Sequence, residues 1–306
     1  MRNAFIDTII DACSEREDIF ILSGDAGLGV FDQFKEKHPD RFRNMGIAEQ
    51  NTISFASGLA LSGYKVFVYN IIPFLFYRCY EQVRNDICYQ ELPIVLVGVG
   101  SGITYAPMGM THYSVEDIGL IQTLPNLVTI SPMDPVEARA AAVYSLNSEK
   151  PVYIRLAKRG EPVIFNDSTF DITAPRIVRD GEWIAVVFHG SISDEVLEAY
   201  ESLKNSGIAP LLVSVPTLQP LDAAGVISIL SKVDHVVCVE EHFVNSGLGS
   251  MLARLKTEQS AQWGLTLMGV PYGFIHEVGN CEYLRSFYGI SASEIIRTVT
   301  SISGAH

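Results

Sequence analysis

Short runs of β-branched and aliphatic residues alternate along this chain with stretches of helical spacing, the signature of a parallel sheet flanked by helices. In the first half, strands are predicted at Ile19–Ser23, Lys65–Tyr69, Ile94–Val99, Leu127–Ile130 and Val152–Leu156. Helices are predicted between them at Asn3–Cys13, Gln50–Leu61, Cys79–Tyr89 and Pro135–Leu146. Asp134 followed by Pro135 reads as an N-cap with proline in the first turn. From about residue 160 to 180 the pattern lapses into a polar, proline-punctuated stretch, read as a linker. The alternation then restarts, with strands predicted at Trp183–Phe188, Pro210–Val215, His235–Glu240 and Leu265–Gly269. Helices are predicted at Ser193–Ser206, Asp222–Ser231 and Gly247–Thr257. The expected fold class is α/β, with two doubly wound domains over residues 1–165 and 176–306 and a linker at 166–175.

Length agrees, since 306 residues correspond to about two domains at roughly 150 residues each. A net charge of −13 speaks against nucleic-acid or anionic-membrane partners, which need clustered Lys and Arg. The longest apolar run, Tyr69–Tyr77, is far short of the roughly 20 residues that span a bilayer. The first residues reach Asp7 before any apolar segment forms, so no secretory signal is expected. The five cysteines are widely spaced with no CxxC pair, as in the reduced interior of a cytoplasmic protein.

Two stretches invite a chemical reading. Gly24-Asp25-Ala26-Gly27-Leu28-Gly29 follows a strand but lacks both the GxGxxG and the GKS/GKT spacing of nucleotide loops. It also misses the Gly-Asp-Gly…Asn metal motif, because its third residue is Ala26, although Asn51 lies at a suitable distance. Gly46-Ile47-Ala48-Glu49-Gln50-Asn51 leads into a helix carrying Ala56, Ser57, Gly58 and Ala60. A single acid at such a junction, ahead of small residues that permit close packing, can be kept as a proton donor by burial. The alternative is a first-turn glutamate favoured by the helix dipole.

Gly46–Asn51 resembles the glutamate motif of the transketolase family's pyrimidine-binding domain. Gly24–Gly29, Thr111-His112-Tyr113-Ser114-Val115-Glu116-Asp117, Leu124–Leu127 and Ser131–Pro135 resemble further family segments in order and spacing. Val239-Glu240-Glu241-His242 with Gly247-Leu248-Gly249-Ser250 resembles the family's C-terminal domain. The resemblance covers nearly the whole chain but only the last two of three transketolase domains. It therefore implies the C-terminal subunit of a split, thiamine-diphosphate-dependent enzyme, with Mg2+ held by oxygen ligands of an N-terminal partner subunit and no metal ligand in this chain. A dimer core with two such partners, an α2β2 heterotetramer, is implied, along with transfer of a two-carbon ketol unit from a ketose to an aldehyde.

The resemblance assigns Glu49 to the aminopyrimidine ring nitrogen of the cofactor, and Phe74, Phe76 and Tyr77 to a wall around that ring, with Gly24 and Asp25 nearby. His112 becomes the candidate for substrate-hydroxyl contact or proton transfer. Arg2, Arg155, Lys158 and Arg159 are candidates for a substrate phosphate or other anion. Two departures stand out: Met108-Gly109-Met110 replaces the family's Asp-Gly-Pro, and Gly100-Ser101 lies where a His-Asp pair is usual. Both make the donor side less polar, pointing to a modified sugar or to an acyloin formed from a 2-oxo acid. A deoxyxylulose-phosphate-synthase-like enzyme, a 2-oxo-acid dehydrogenase beta subunit and a non-catalytic scaffold are the competing readings. His189-Gly190-Ser191 and Glu240-Glu241-His242 are expected to serve domain packing and subunit contact.

Overall fold

The computed structural model describes residues 1–27, 29–158, 161–166 and 170–304. Its strands are β1 (Ile19–Ser23), β2 (Phe42–Asn44), β3 (Lys65–Ile71), β4 (Val95–Val99), β5 (Val128–Ile130), β6 (Val152–Leu156), β7 (Arg176–Arg179), β8 (Trp183–Phe188), β9 (Leu211–Ser214), β10 (Thr217–Gln219), β11 (Val233–Phe243) and β12 (Gly264–Val270). Every residue of β1, β4 and β6 is buried, which explains their unbroken apolar character, since a parallel strand covered on both faces has no polar side.

The first sheet runs β10-β5-β6-β4-β3-β1-β2 and the second β12-β11-β8-β9-β7. Both are doubly wound: the chain moves to one side of β1, then crosses back to the other, and does the same about β8. In the first sheet all pairings are parallel except β10 with β5. β10 leaves its own domain to edge the first sheet, so the two halves are joined by backbone hydrogen bonds. They also share apolar packing: one cluster runs from Ile53, Phe76 and Ile87 through Leu218 to Val187, Leu248 and Trp263. The opposite face of the first sheet is covered by the helices Arg2–Ala12 and Pro135–Asn147, through Phe5, Ile9, Ala138 and Ala142.

Several expectations are corrected. The predicted helix Cys79–Tyr89 is the end of a longer helical segment: wide π-type turns at Pro73–Tyr77 and Val83–Cys88 flank the short α-turn Tyr80–Gln82. Such turns break the 3.6-residue period on which the prediction rests. The stretch read as a linker ends in β7, an antiparallel edge strand beside β9. The Arg176 guanidinium is packed between the rings of Phe165 and Phe170, 3.4 and 3.5 Å from their centroids. The helices Cys281–Phe287 and Ala292–Ser303 add to the predicted set. No helix among the described residues is long and apolar enough to cross a membrane.

Asp134 caps its helix as expected, accepting the Glu137 N–H at 2.7 Å. Its other oxygen takes the N–H groups of Ile164 and Phe165 at 3.0 Å each. The Glu137 carboxyl reaches back to the Met133 N–H at 2.8 Å and accepts the Ser214 hydroxyl at 2.9 Å. Burial pushes this carboxyl up to about 7. The folded chain therefore keeps a proton that the unfolded chain releases above its ordinary value near 4.3. The stability from this group is complete below that pH, falls as pH rises to about 7, and stays lost above it. Glu137→Gln, which cannot ionise, is expected to flatten that part of the pH dependence of thermal melting; an identical slope in variant and parent would assign it elsewhere.

Candidate active site

In an open parallel sheet, loops at the carboxyl ends of the strands meet at the point where the strand order reverses. Here that crevice lies between β1 and β3, whose last paired residues are Ser23 and Tyr69. The loop after β1 is tied to both neighbours: Gly24 N–H donates to Tyr69 O and Asp25 N–H to Gly46 O. A Cβ on Gly24 would lie 2.3 Å from Asn70 Nδ2, so only glycine lets the loop approach β3 this closely. Gly24 is buried and Asp25 exposed.

The loop after β2 delivers Glu49. Asn44 Oδ1 accepts the Gly46 N–H at 2.8 Å, and Gly46 has φ +66°, a left-handed turn that glycine makes without strain. Glu49 opens the helix Glu49–Leu61 behind Ala48, which has no capping side chain. Its carboxylate therefore takes the favourable end of the helix dipole. The side chain is only 8% exposed, and its Oε1 accepts from Arg78 Nη1 at 2.7 Å.

The segment after β3 supplies the aromatic wall only in part. Phe74 is half-buried beside the crevice, with the Arg78 guanidinium 4.8 Å above its ring. The Tyr77 hydroxyl turns away to donate to Glu116 Oε2 at 2.9 Å. Phe76 is fully buried and stacks on Tyr153, with centroids 5.2 Å apart. It belongs to the core and presents nothing to the crevice.

His112 ends a 3-10 turn on the far side of Phe74, its ring edge-on at 5.2 Å, with Tyr105 at 6.0 Å. Its Nδ1 lies 2.9 Å from Thr111 Oγ1. Burial holds the imidazole below its ordinary pKa, so it is neutral at pH 7. Lys158 Nζ sits 4.9 Å above the Tyr105 ring. Arg78, Phe74, His112, Tyr105 and Lys158 thus form a continuous row of cations and rings leading away from Glu49. Arg2 flanks this edge from the first helix: burial pushes the Tyr69 hydroxyl up to about 12, and the nearby Arg2 opposes that rise.

Arg155 takes no part in this row. It is 1% exposed, and its guanidinium donates to Asp117 Oδ2 at 2.8 Å and to the carbonyls of Ser114 and Glu241 at 2.9 and 3.1 Å. The structure does not bring Arg155 to the crevice as an anion contact: its Nε and Nη2 donate to partners inside the protein. Arg159 lies outside the described residues. The buried layer around Arg155 joins the domains. His242 Nε2 accepts the Ile118 N–H at 3.1 Å, which leaves Nδ1 to donate to Phe243 O; burial lowers its pKa and favours this neutral ring. Glu241 pairs with Arg285 and accepts from Ser191, while Glu240 caps the helix starting at Leu248. These residues and His189 are packed inside the protein, as expected for domain packing.

Arg78 and Tyr105 stand in this row, and the sequence patterns did not single them out. The signal available for Arg78 was its position four residues beyond Phe74 in a helical segment, the spacing that places two side chains on one side.

Both halves of the chain have counterparts among known proteins. Residues 1–161 match the family described as transketolase, pyrimidine binding domain, and residues 174–295 the one described as transketolase, C-terminal domain. An apulose-4-phosphate transketolase subunit of Actinobacillus succinogenes is 33% identical, over 99% of this chain and 98% of its own length. The 1-deoxy-D-xylulose-5-phosphate synthase of Caldanaerobacter subterraneus is 36% identical, over 89% of this chain but 44% of its own length. A solved structure described as split gene transketolase, inactive beta4 tetramer, superposes with TM-score 0.89 at 30% identity, covering 98% of this chain and 97% of the other. With both of its halves matched and a relative of its own length found, this chain belongs to the transketolase family.

Proposed function

We propose that this chain is the C-terminal subunit of a split, thiamine-diphosphate-dependent transketolase, transferring a two-carbon ketol unit from a ketose phosphate or modified sugar to an aldehyde acceptor. The observation that carries the reading is Glu49: a nearly buried carboxylate at the crevice between β1 and β3, beside Phe74, in a chain that matches a transketolase subunit along its whole length. A carboxyl in that position is suited to hydrogen-bond a ring nitrogen, and Phe74 to orient an aromatic ring. Bound thiamine diphosphate would supply the electron sink for carbon–carbon cleavage. Its diphosphate and Mg2+ are proposed to be held by an N-terminal partner subunit through oxygen ligands.

On the substrate side, His112 offers a neutral imidazole with Nδ1 turned to Thr111, leaving Nε2 to meet a substrate hydroxyl. Lys158 and Arg2 are the remaining candidates for an anionic group. The outer side of the Glu49 helix carries Phe55 and Leu61, 43% and 67% exposed, and Ile47 just before it is 79% exposed. Apolar side chains left open just before and along the helix that Glu49 opens support a surface completed by another chain. The beta4 assembly of the solved relative, described as inactive, supports both self-association and the need for a second kind of chain.

The experiment is calorimetric titration of thiamine diphosphate and Mg2+ into this chain, alone and mixed with a candidate N-terminal partner. Binding only in the mixture is expected; tight binding by the chain alone would overturn the split-site reading. The likeness to a deoxyxylulose-phosphate synthase keeps acyloin formation as a second reading, recognised by consumption of pyruvate with release of CO2.

A further inference from the structure

The carboxylate proposed to meet the cofactor ring is already engaged. Arg78 Nη1 donates to Glu49 Oε1 at 2.7 Å, and of the pair Glu49 is 8% exposed while Arg78 is 45% exposed. The arginine is the outer member, standing between the carboxylate and solvent. It is held there from three directions. Its guanidinium lies 4.8 Å above Phe74, its carbonyl accepts from Gln50 Nε2 at 3.2 Å, and its N–H closes the wide turn back to Pro73 O at 3.2 Å. That turn inserts one residue relative to an α-helix, and residues 74 and 78 stay on one side of it, facing the start of the Glu49 helix.

The guanidinium holds Oε1 and covers the solvent side of the carboxylate, so a ring nitrogen approaching from that side meets Arg78 before it reaches Glu49. Resting on the functional reading above, we propose that Arg78 is a built-in competitor for Glu49. It closes over the carboxylate in the free site and is displaced when the cofactor's aminopyrimidine engages the same group, keeping its hold on Phe74 as it withdraws. The pair is exposed on one side, so it is weak enough to be opened by a ring that both stacks and hydrogen-bonds. The measured affinity is then the intrinsic affinity reduced by the fraction of sites in which Arg78 stands open.

The test measures the dissociation constant of thiamine diphosphate with Mg2+ by calorimetry, on the complex of this chain with its N-terminal partner. The parent is compared with Arg78→Met, which keeps the stem and loses the charge, and with Arg78→Lys, which keeps a cation. Arg78→Met is expected to bind roughly three- to tenfold more tightly, and Arg78→Lys within about twofold of the parent. The advantage of Arg78→Met should shrink toward unity at about 0.5 M salt, where screening opens the parent's ion pair. Thermal melting confirms that each variant is folded, as expected for a side chain this exposed. Equal or weaker binding by a folded Arg78→Met variant overturns the competitor. Absence of binding by the parent complex overturns the functional reading itself, and the competitor with it.

Discussion

Replacing Glu49 with alanine is expected to reduce turnover of the reconstituted two-chain complex by roughly 10^2- to 10^4-fold, the range of a positioned proton-transferring group, while leaving the fold intact. The fold survives because the loss strands little: the partner lost is Arg78, 45% exposed, and pairs of this kind contribute about 0–1 kcal/mol. Ala48, Glu49 and Thr52 keep the helix start through the Thr52 N–H to Ala48 O bond, which does not involve the side chain. The checks are steady-state kinetics with a ketose donor and an aldehyde acceptor, alongside thermal melting of the isolated chain. A folded Glu49→Ala variant with parental turnover would remove Glu49 from the mechanism and with it the assignment of the crevice. Glu49→Gln separates proton transfer from hydrogen bonding: it retains polarity and shape, so activity well above that of the alanine variant would mean that a hydrogen bond to the ring suffices.

The second large effect concerns stability. Asp117→Ala should destabilise the chain by about 3–5 kcal/mol, the usual cost of leaving a buried charge without its partner. At roughly 2–4 °C per kcal/mol for domains of 150–250 residues, melting would fall by about 6–20 °C. Asp117 Oδ2 accepts from Arg155 Nε at 2.8 Å and from the Tyr153 hydroxyl at 2.7 Å, and both charged side chains are 1% exposed or less. Removing the carboxylate leaves a guanidinium enclosed by protein with only the carbonyls of Ser114 and Glu241 to meet it. The double variant Asp117→Leu with Arg155→Met, which removes both charges and fills the space, is expected to recover much of the loss. Equal melting of parent and Asp117→Ala would show that water reaches this layer. Because Arg155 bonds to Glu241 O and Ile118 to His242 Nε2, the same variant should loosen the two domains from each other, seen as faster hydrogen exchange along β11.

What could be read without a structure depends on how far apart the interacting residues lie in the chain. β1, β4, β6 and β8 announce themselves because nearly all of their residues are buried, which demands continuous apolar runs. Asp134 and Pro135 mark a helix start because capping joins residues three apart. Glu49 stood out as a single acid at a strand-to-helix junction, and its resemblance to a family motif gave it a role. β10 was not legible: Thr217-Leu218-Gln219 is three residues long, and its partner β5 lies in the other domain. Nor was the order of the aromatic wall, because the wide turn at Pro73–Tyr77 sends Phe76 to the core and leaves Phe74 at the crevice.

The basic residues divide by the same logic. Arg155 and Lys158 are three residues apart, and both were candidates for anion contacts from sequence. Arg155 is on a strand whose side chain points into the interdomain layer, where Asp117, 38 positions away, neutralises it. Lys158 is past the strand end, above Tyr105. Glu49 and Arg78 are 29 positions apart and meet only because β1, β2 and β3 end side by side. Sequence by itself determined the alternation of elements, the two-domain α/β class and the family, because these follow from local periodicity and from motifs a few residues long. Tertiary structure alone decided which charges are sealed in, which rings face the crevice and which arginine covers Glu49, because such pairings depend on strand order and loop geometry that no local pattern encodes.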